Sequence, residues 1–187
     1  EEDPAQWDPQ TGRIDYNRSG LPLIEIVTKP DFKDSKEVES WLKELILTLS
    51  YIKAIDKNAG IKADVNVSID GGERVEIKNV SSINDIKNAI EYEIKRQSKE
   101  KVNMETRRYD SSKGKTILMR KKEKQADYRF IPDPDLPVIK LRDEEVYKLN
   151  KDLPETPKEK LEKLQKKHKI DKEQAEILRK NFELVEF

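Results

Sequence analysis

Ile61-Lys-Ala-Asp-Val-Asn-Val-Ser-Ile69, then Asp70-Gly-Gly72, then Glu73-Arg-Val-Glu-Ile-Lys78 is the stretch on which the reading of the fold turns. Ile61, Ala63, Val65, Val67 and Ile69 alternate with Lys62, Asp64, Asn66 and Ser68, and the alternation resumes after the glycines. Period two on both sides of Asp-Gly-Gly predicts a β-hairpin. A two-residue loop would set apolar residues opposite polar ones. A loop of Asp70 to Gly72 pairs Val67 with Val75 and Val65 with Ile77, and makes one face wholly apolar. Burial therefore selects that register. It also opposes Asp64 to Lys78, Asn66 to Glu76 and Ser68 to Arg74.

The flanking segments supply helices to cover the apolar face. Asp34 with Glu37 three residues later is a capping box, and Val38, Trp41, Leu42, Leu45, Ile46, Leu49 and Ile52 follow at helical spacing, predicting a helix over 35–52. Ser82 and Asp85 cap a second, over 83–99, with Ile83, Ile86, Ile90 and Ile94 inward. Strands are expected at 104–109 and 115–120, and Leu21–Val27 reads as a buried strand interrupted by Glu25. The proline-rich 131–137 cannot be regular structure. From about 143 the pattern is helical, with a strong start at Thr156-Pro157 and Glu159. The whole is α+β, with a domain boundary near 140–155.

Charge is balanced overall, 38 Lys+Arg against 38 Asp+Glu in 187 residues, but unevenly spread. Residues 1–40 carry ten acidic and five basic side chains, whereas residues 95–124 carry twelve basic and four acidic. The basic block, with Arg107, Arg108, Lys113, Lys115, Arg120, Lys121 and Lys122 and with Tyr109 and Tyr128 among or near them, suits a polyanion such as RNA. The alternative is a solvated surface. No apolar run approaches the length of a membrane span. The absence of cysteine and the single His168 exclude disulfides, thiolate nucleophiles and multi-histidine metal sites. Neither GxxxxGK[ST] nor GxGxxG is present. The chain opens Glu1-Glu2-Asp3 without methionine and is read as a piece of a longer protein.

The polar face of the hairpin carries the candidate chemistry. Diagonal neighbours across an antiparallel pair lie about 7–8 Å apart, so Asp64 and Glu76 can share a divalent cation, and hard oxygen ligands select magnesium over zinc. Lys78 and Arg74 are placed to contact phosphate oxygens. The competing reading is a solvent face with cross-strand salt bridges. Glu25, inside an apolar run, needs a cation if buried. It pairs structurally, for example with Arg18, or it binds a metal. Several carboxylates with Lys and Arg, and no nucleophile, suggest metal-assisted phosphoryl transfer.

Tyr16-Asn-Arg-Ser-Gly-Leu-Pro-Leu-Ile-Glu-Ile-Val27, Lys62–Ser68, Glu76-Ile-Lys-Asn79, Glu91–Gln97, Glu105–Asp110, Met119–Glu123 and Asp127–Pro137 resemble, in order, motifs of the B subunits of aspartyl/glutamyl-tRNA amidotransferases (GatB). The resemblance covers nearly all of residues 1–140. It implies the later part of a glutamine-synthetase-like, curved antiparallel-sheet cradle over residues 1–142, followed by the start of an all-helical domain over 143–187. It implies phosphorylation by ATP, with Mg2+, of the side-chain carboxylate of Glu or Asp misattached to tRNA. Ammonia from a glutaminase A subunit then displaces phosphate, giving Gln-tRNA or Asn-tRNA, and a small C subunit braces the complex. Glu2 and Glu25 match the family's metal-binding carboxylates, and Asp64 and Glu76 match acidic positions on its cradle. Magnesium is expected on Glu2, Glu25 and Asp64, and phosphate on Arg18, Arg74 and Lys78. The implied location is the cytoplasm, or the organellar matrix in a eukaryote. The archaeal E subunits share this chemistry, but they carry a domain inserted before the helical region for which Pro137 to Thr156 leaves no room. A non-catalytic RNA-binding module is the rival from another class; it would need neither ATP nor Mg2+.

Overall fold

A computed structural model describes residues 5–8, 10–17, 19–55, 60–121 and 137–179. Glu2, Arg18, Lys122, Tyr128 and nearly all of the proline-rich 131–137 segment lie outside the described residues. The chain divides into two compact units, Glu1–Lys33 and Asp34–Phe187.

In the first unit, β1 (Gln6–Trp7) pairs antiparallel with β2 (Ile14–Asp15). Asp8 closes the turn between them, its carboxylate accepting from the Gln10 amide at 2.9 Å and from the Thr11 hydroxyl at 2.6 Å. The expected buried strand over Leu21–Val27 is not found. Apart from a single bridge at Pro22 the segment has no regular structure, and Leu21, Leu23, Ile24, Ile26 and Val27 are exposed within their unit. A strand needs a neighbour for its backbone groups, and none of the described residues forms a ladder with residues 23–29.

The second unit begins with α1 (Ser35–Tyr51), capped by the Asp34 carboxylate, which accepts from the Glu37 amide at 2.8 Å. Strands β3 (Ala63–Val67) and β4 (Val75–Val80) form the expected hairpin, with Val67 opposite Val75 and Val65 opposite Ile77. Its turn closes from the Gly72 amide to the Ile69 carbonyl at 2.9 Å, with Gly71 at φ 72°. Ser68 and Arg74 fall outside the ladder. Ser82 caps α2 (Ile83–Gln97), accepting from the Asp85 amide at 3.0 Å. A second hairpin follows, β5 (Glu105–Asp110) and β6 (Lys115–Lys121).

The four strands lie in the order β3-β4-β5-β6. The outer pairs are antiparallel, but β4 and β5 run parallel, so the sheet is mixed rather than antiparallel as the resemblance implied. The cause is α2: a helix between two strands returns the chain to the end at which it began, and the second strand then runs parallel to the first. The core lies between the sheet and α2, built from Val67, Ile77, Val80, Ile86, Ala89 and Ile90. Val38 and Leu42 of α1 pack against it. Alpha-helices α3 (Asp143–Asp152), α4 (Pro157–His168) and α5 (Lys172–Arg179) follow. Thr156 and Glu159 cap α4 reciprocally, as their spacing predicts. The Lys160 ammonium of α4 lies 5.6 Å from the ring centre of Tyr51, at the end of α1.

Candidate functional site

Pairing across the mixed sheet decides which side chains share a face. Val75 and Ile77 face α2, so their β5 partners Glu105 and Arg107 do too. Glu76 and Lys78, with partners Thr106 and Arg108, take the other face, away from α2, together with Asp64 and Asn66. Arg120 of β6 stands opposite Thr106 and Lys115 opposite Asp110, so basic residues of β5 and β6 adjoin the acidic hairpin on this face.

Asp64, Glu76 and Lys78 are brought together. The Lys78 ammonium donates to Asp64 Oδ2 at 2.6 Å and lies 2.8 Å from Glu76 Oε1. Thr106 donates to the other oxygen of Glu76 at 3.3 Å. Burial pulls the Lys78 ammonium down, but hydrogen bonds to Asp64 and then to Glu76 outweigh it and hold the ammonium above its ordinary range. The two carboxylates converge on one cation, so the pair is able to hold positive charge between them. Among the described residues no three acidic or histidine side chains are grouped so as to hold a metal ion. The hairpin by itself brings two carboxylates together, and both are engaged by Lys78.

The other expected site residues are placed as follows. Glu25 belongs to the first unit and is exposed there, so its charge needs no buried cation within that unit. Arg74 is exposed in the loop before β4. Lys113 sits in the β5–β6 turn, 3.7 Å from Asp110. Lys121 ends β6.

Arg107 departs from the expected basic block. It lies on the helix side of the sheet, its side chain 11% exposed. Its guanidinium donates to the Thr116 hydroxyl at 2.8 Å and the Thr116 carbonyl at 3.0 Å, and pairs with Glu105 at 3.1 Å and Glu93 at 3.3 Å. Adjacent strand residues point to opposite faces, so Arg107 and Arg108 cannot serve one surface.

Arg107 is part of a buried polar group that the sequence reading missed. Glu93 of α2 is fully buried and takes Arg96 at 2.9 Å, Gln97 at 3.2 Å and the Thr116 hydroxyl. Arg96 also reaches Glu105 at 2.5 Å. Two acids and two arginines thus compensate each other between helix and sheet. The signal was present: Glu93 and Gln97 continue the stripe of Ile86, Ala89 and Ile90, where a carboxylate demands a cation.

The family model for the GatB/GatE catalytic domain matches residues 1–147. The chain belongs to the GatB/GatE catalytic-domain family. Three similar curated proteins are each named as the B subunit of an aspartyl/glutamyl-tRNA(Asn/Gln) amidotransferase. That of Methanopyrus kandleri is 42% identical over 192 residues, covering 100% of this chain and 42% of the relative. That of Methanobrevibacter smithii is 43% identical, covering 99% and 42%. That of Sulfolobus acidocaldarius is 42% identical, covering 95% and 41%. The chain therefore spans about two-fifths of the length of these relatives. Within the GatB/GatE domain, both the Asp64–Lys78–Glu76 cluster and the Glu93 network fall inside the matched residues.

Proposed function

We propose that the chain is the part of a tRNA-dependent amidotransferase's B-type subunit that forms the later part of its glutamine-synthetase-like cradle and the start of its helical domain. In the complete protein it phosphorylates, with ATP, the side-chain carboxylate of Glu-tRNA(Gln) or Asp-tRNA(Asn). Ammonia from the glutaminase A subunit then gives Gln-tRNA(Gln) or Asn-tRNA(Asn), with the small C subunit completing the assembly in the cytoplasm. The observation that carries this reading is the Asp64–Lys78–Glu76 cluster on the sheet face away from α2, which also carries the exposed Arg108 and Arg120.

Lys78 and Arg74 would meet phosphate oxygens, and Lys78 stands ready as a fixed positive charge where negative charge develops. Glu2 and Glu25 would hold magnesium, which when bound neutralises charge on the phosphates. Arg108, Lys113, Lys115 and Arg120, with Lys122, would receive the acceptor end of the tRNA; Arg107 leaves that set because its charge is spent against Glu93 and Glu105, and Lys121 because it stands opposite Glu105 in the ladder. No helix among the described residues is long and apolar enough to cross a membrane.

The test is Lys78→Met in the assembled enzyme. Phosphorylation and amidation of the misacylated tRNA should fall by about 10²-fold or more while glutamine hydrolysis persists. Amidation at the wild-type rate would overturn the reading. Binding of the tRNA without any response to ATP and magnesium would favour a plain RNA-binding module.

A further inference from the structure

The hairpin ladder changes register at its open end. Val65 pairs with Ile77, but Ala63 pairs with Val80, so one residue of β3 stands against two of β4. The one is Asp64 and the two are Lys78 and Asn79: a β-bulge, with Asn79 in the left-handed region at φ 56°. Asparagine tolerates that conformation better than most residues. A bulge also leaves an amide out of the ladder. Here Asp64 Oδ1 accepts from the Asn79 amide at 3.0 Å, while Oδ2 takes the Lys78 ammonium at 2.6 Å. One carboxylate therefore spans both residues of the bulge, one through its backbone and the other through its side chain. Glu76 holds the same ammonium from the next position on its face, and Thr106 holds Glu76. A lysine stem loses rotamer freedom when its ammonium is fixed. These contacts fix it before any ligand arrives.

We propose that Asp64 is a positioning residue: it keeps the Lys78–Asn79 bulge closed and sets the Lys78 ammonium in place for an incoming phosphate, and it is not a ligand of the metal. This rests on the reading that Lys78 meets phosphate, and it removes Asp64 from the magnesium set.

Two variants separate the roles. Asp64→Asn keeps a carbonyl oxygen for the Asn79 amide but removes the charge that Lys78 and any metal would feel. Asp64→Ala removes both. In the assembled enzyme, amide hydrogen exchange at Asn79 should be slow in the wild type and in Asp64→Asn, and fast in Asp64→Ala. Magnesium affinity, titrated with the metal alone by calorimetry, should stay within about twofold of wild type in Asp64→Asn, where loss of a ligand would weaken it by about tenfold or more. The rate constant for phosphorylation should fall by about 10²-fold in Asp64→Ala. Asp64→Ala combined with Asn79→Gly, which accepts positive φ without a brace, should recover to the level of Asp64→Asn. An unprotected Asn79 amide in the wild type, or magnesium affinity lost in Asp64→Asn, would overturn the proposal. If Lys78→Met kept wild-type phosphorylation, the functional reading would fail, while Asn79 exchange and magnesium titration would still report on the brace.

Discussion

Arg107 and Arg108 are neighbours in sequence with opposite fates, and replacing each by alanine measures the difference. Arg107 closes a neutral group of two acids and two arginines; without it, Glu93 and Glu105 share Arg96 alone and one negative charge is left uncompensated inside the fold. Removing one partner of a buried pair costs about 3–5 kcal/mol, and the remaining arginine places Arg107→Ala near the lower end, about 3 kcal/mol. That is about a hundredfold in the ratio of folded to unfolded chain. With a urea slope of about 2 kcal/mol/M the midpoint falls by about 1.5 M. Arg108 is exposed on the face away from α2. Its replacement should cost about 0.5 kcal/mol, a shift of about 0.25 M. Urea denaturation followed by circular dichroism reads both. Equal shifts for the two variants would show that the Glu93 group is no tighter than a surface ion pair, and the assignment of faces across β5 would be wrong.

Three further outcomes follow from the same geometry. Asn79→Val should destabilise the chain by about 1–3 kcal/mol, because a β-branched residue cannot adopt φ 56° without strain, whereas Asn79→Gly should cost far less; thermal melts of the two variants decide it. In the assembled enzyme, Arg108→Ala with Arg120→Ala should lower the salt slope of tRNA binding by roughly 0.7–0.9 for each phosphate left unneutralised, with the preferred tRNA unchanged; an unaltered slope would make that face irrelevant to RNA. Burial, and then the charge of Asp85, raise the Tyr109 phenol above its ordinary range. The folded chain thus favours the neutral phenol, and the stability this supplies is complete below about pH 10 and is lost as the pH rises beyond it. Wild type should accordingly lose more stability than Tyr109→Phe between about pH 9 and about pH 11 in paired urea titrations.

The register of the first hairpin was legible because one of its faces is buried, and a slip of one residue would have set Val65 and Val67 opposite polar residues instead of Ile77 and Val75. Both major helix starts were legible because Asp34 and Ser82 sit three residues before the amides they accept from. The bulge was written in the spacing of the buried residues, Val75 and Ile77 two apart and Val80 three further on, but the alternation was followed only as far as Lys78. The parallel seam between β4 and β5 was not legible, since pairing between distant segments leaves no mark in either strand's own periodicity. Of the candidate site, the Asp64–Lys78–Glu76 grouping followed from alternation alone. Within the basic run 107–122 that same alternation separates a structural arginine, Arg107, from the exposed Arg108. Leu21–Val27 shows the limit of composition: an apolar run states a need for burial without saying what provides it.

The seam between β4 and β5 has a consequence for how the chain acquires its shape. Each hairpin closes through a short local turn, Asp70 to Gly72 in one and Ser111 to Gly114 in the other, so its strands meet after only brief loop searches. The seam is different: it cannot form until α2 has brought Glu105 beside Val75, and the residues that fasten it, Glu93 and Arg96 to Glu105, Arg107 and Thr116, come from three separate elements. Short loops therefore favour the two hairpins before the seam between them. The side of the sheet that carries no candidate chemistry therefore decides when the acidic and basic halves of the other side first face a ligand as one surface.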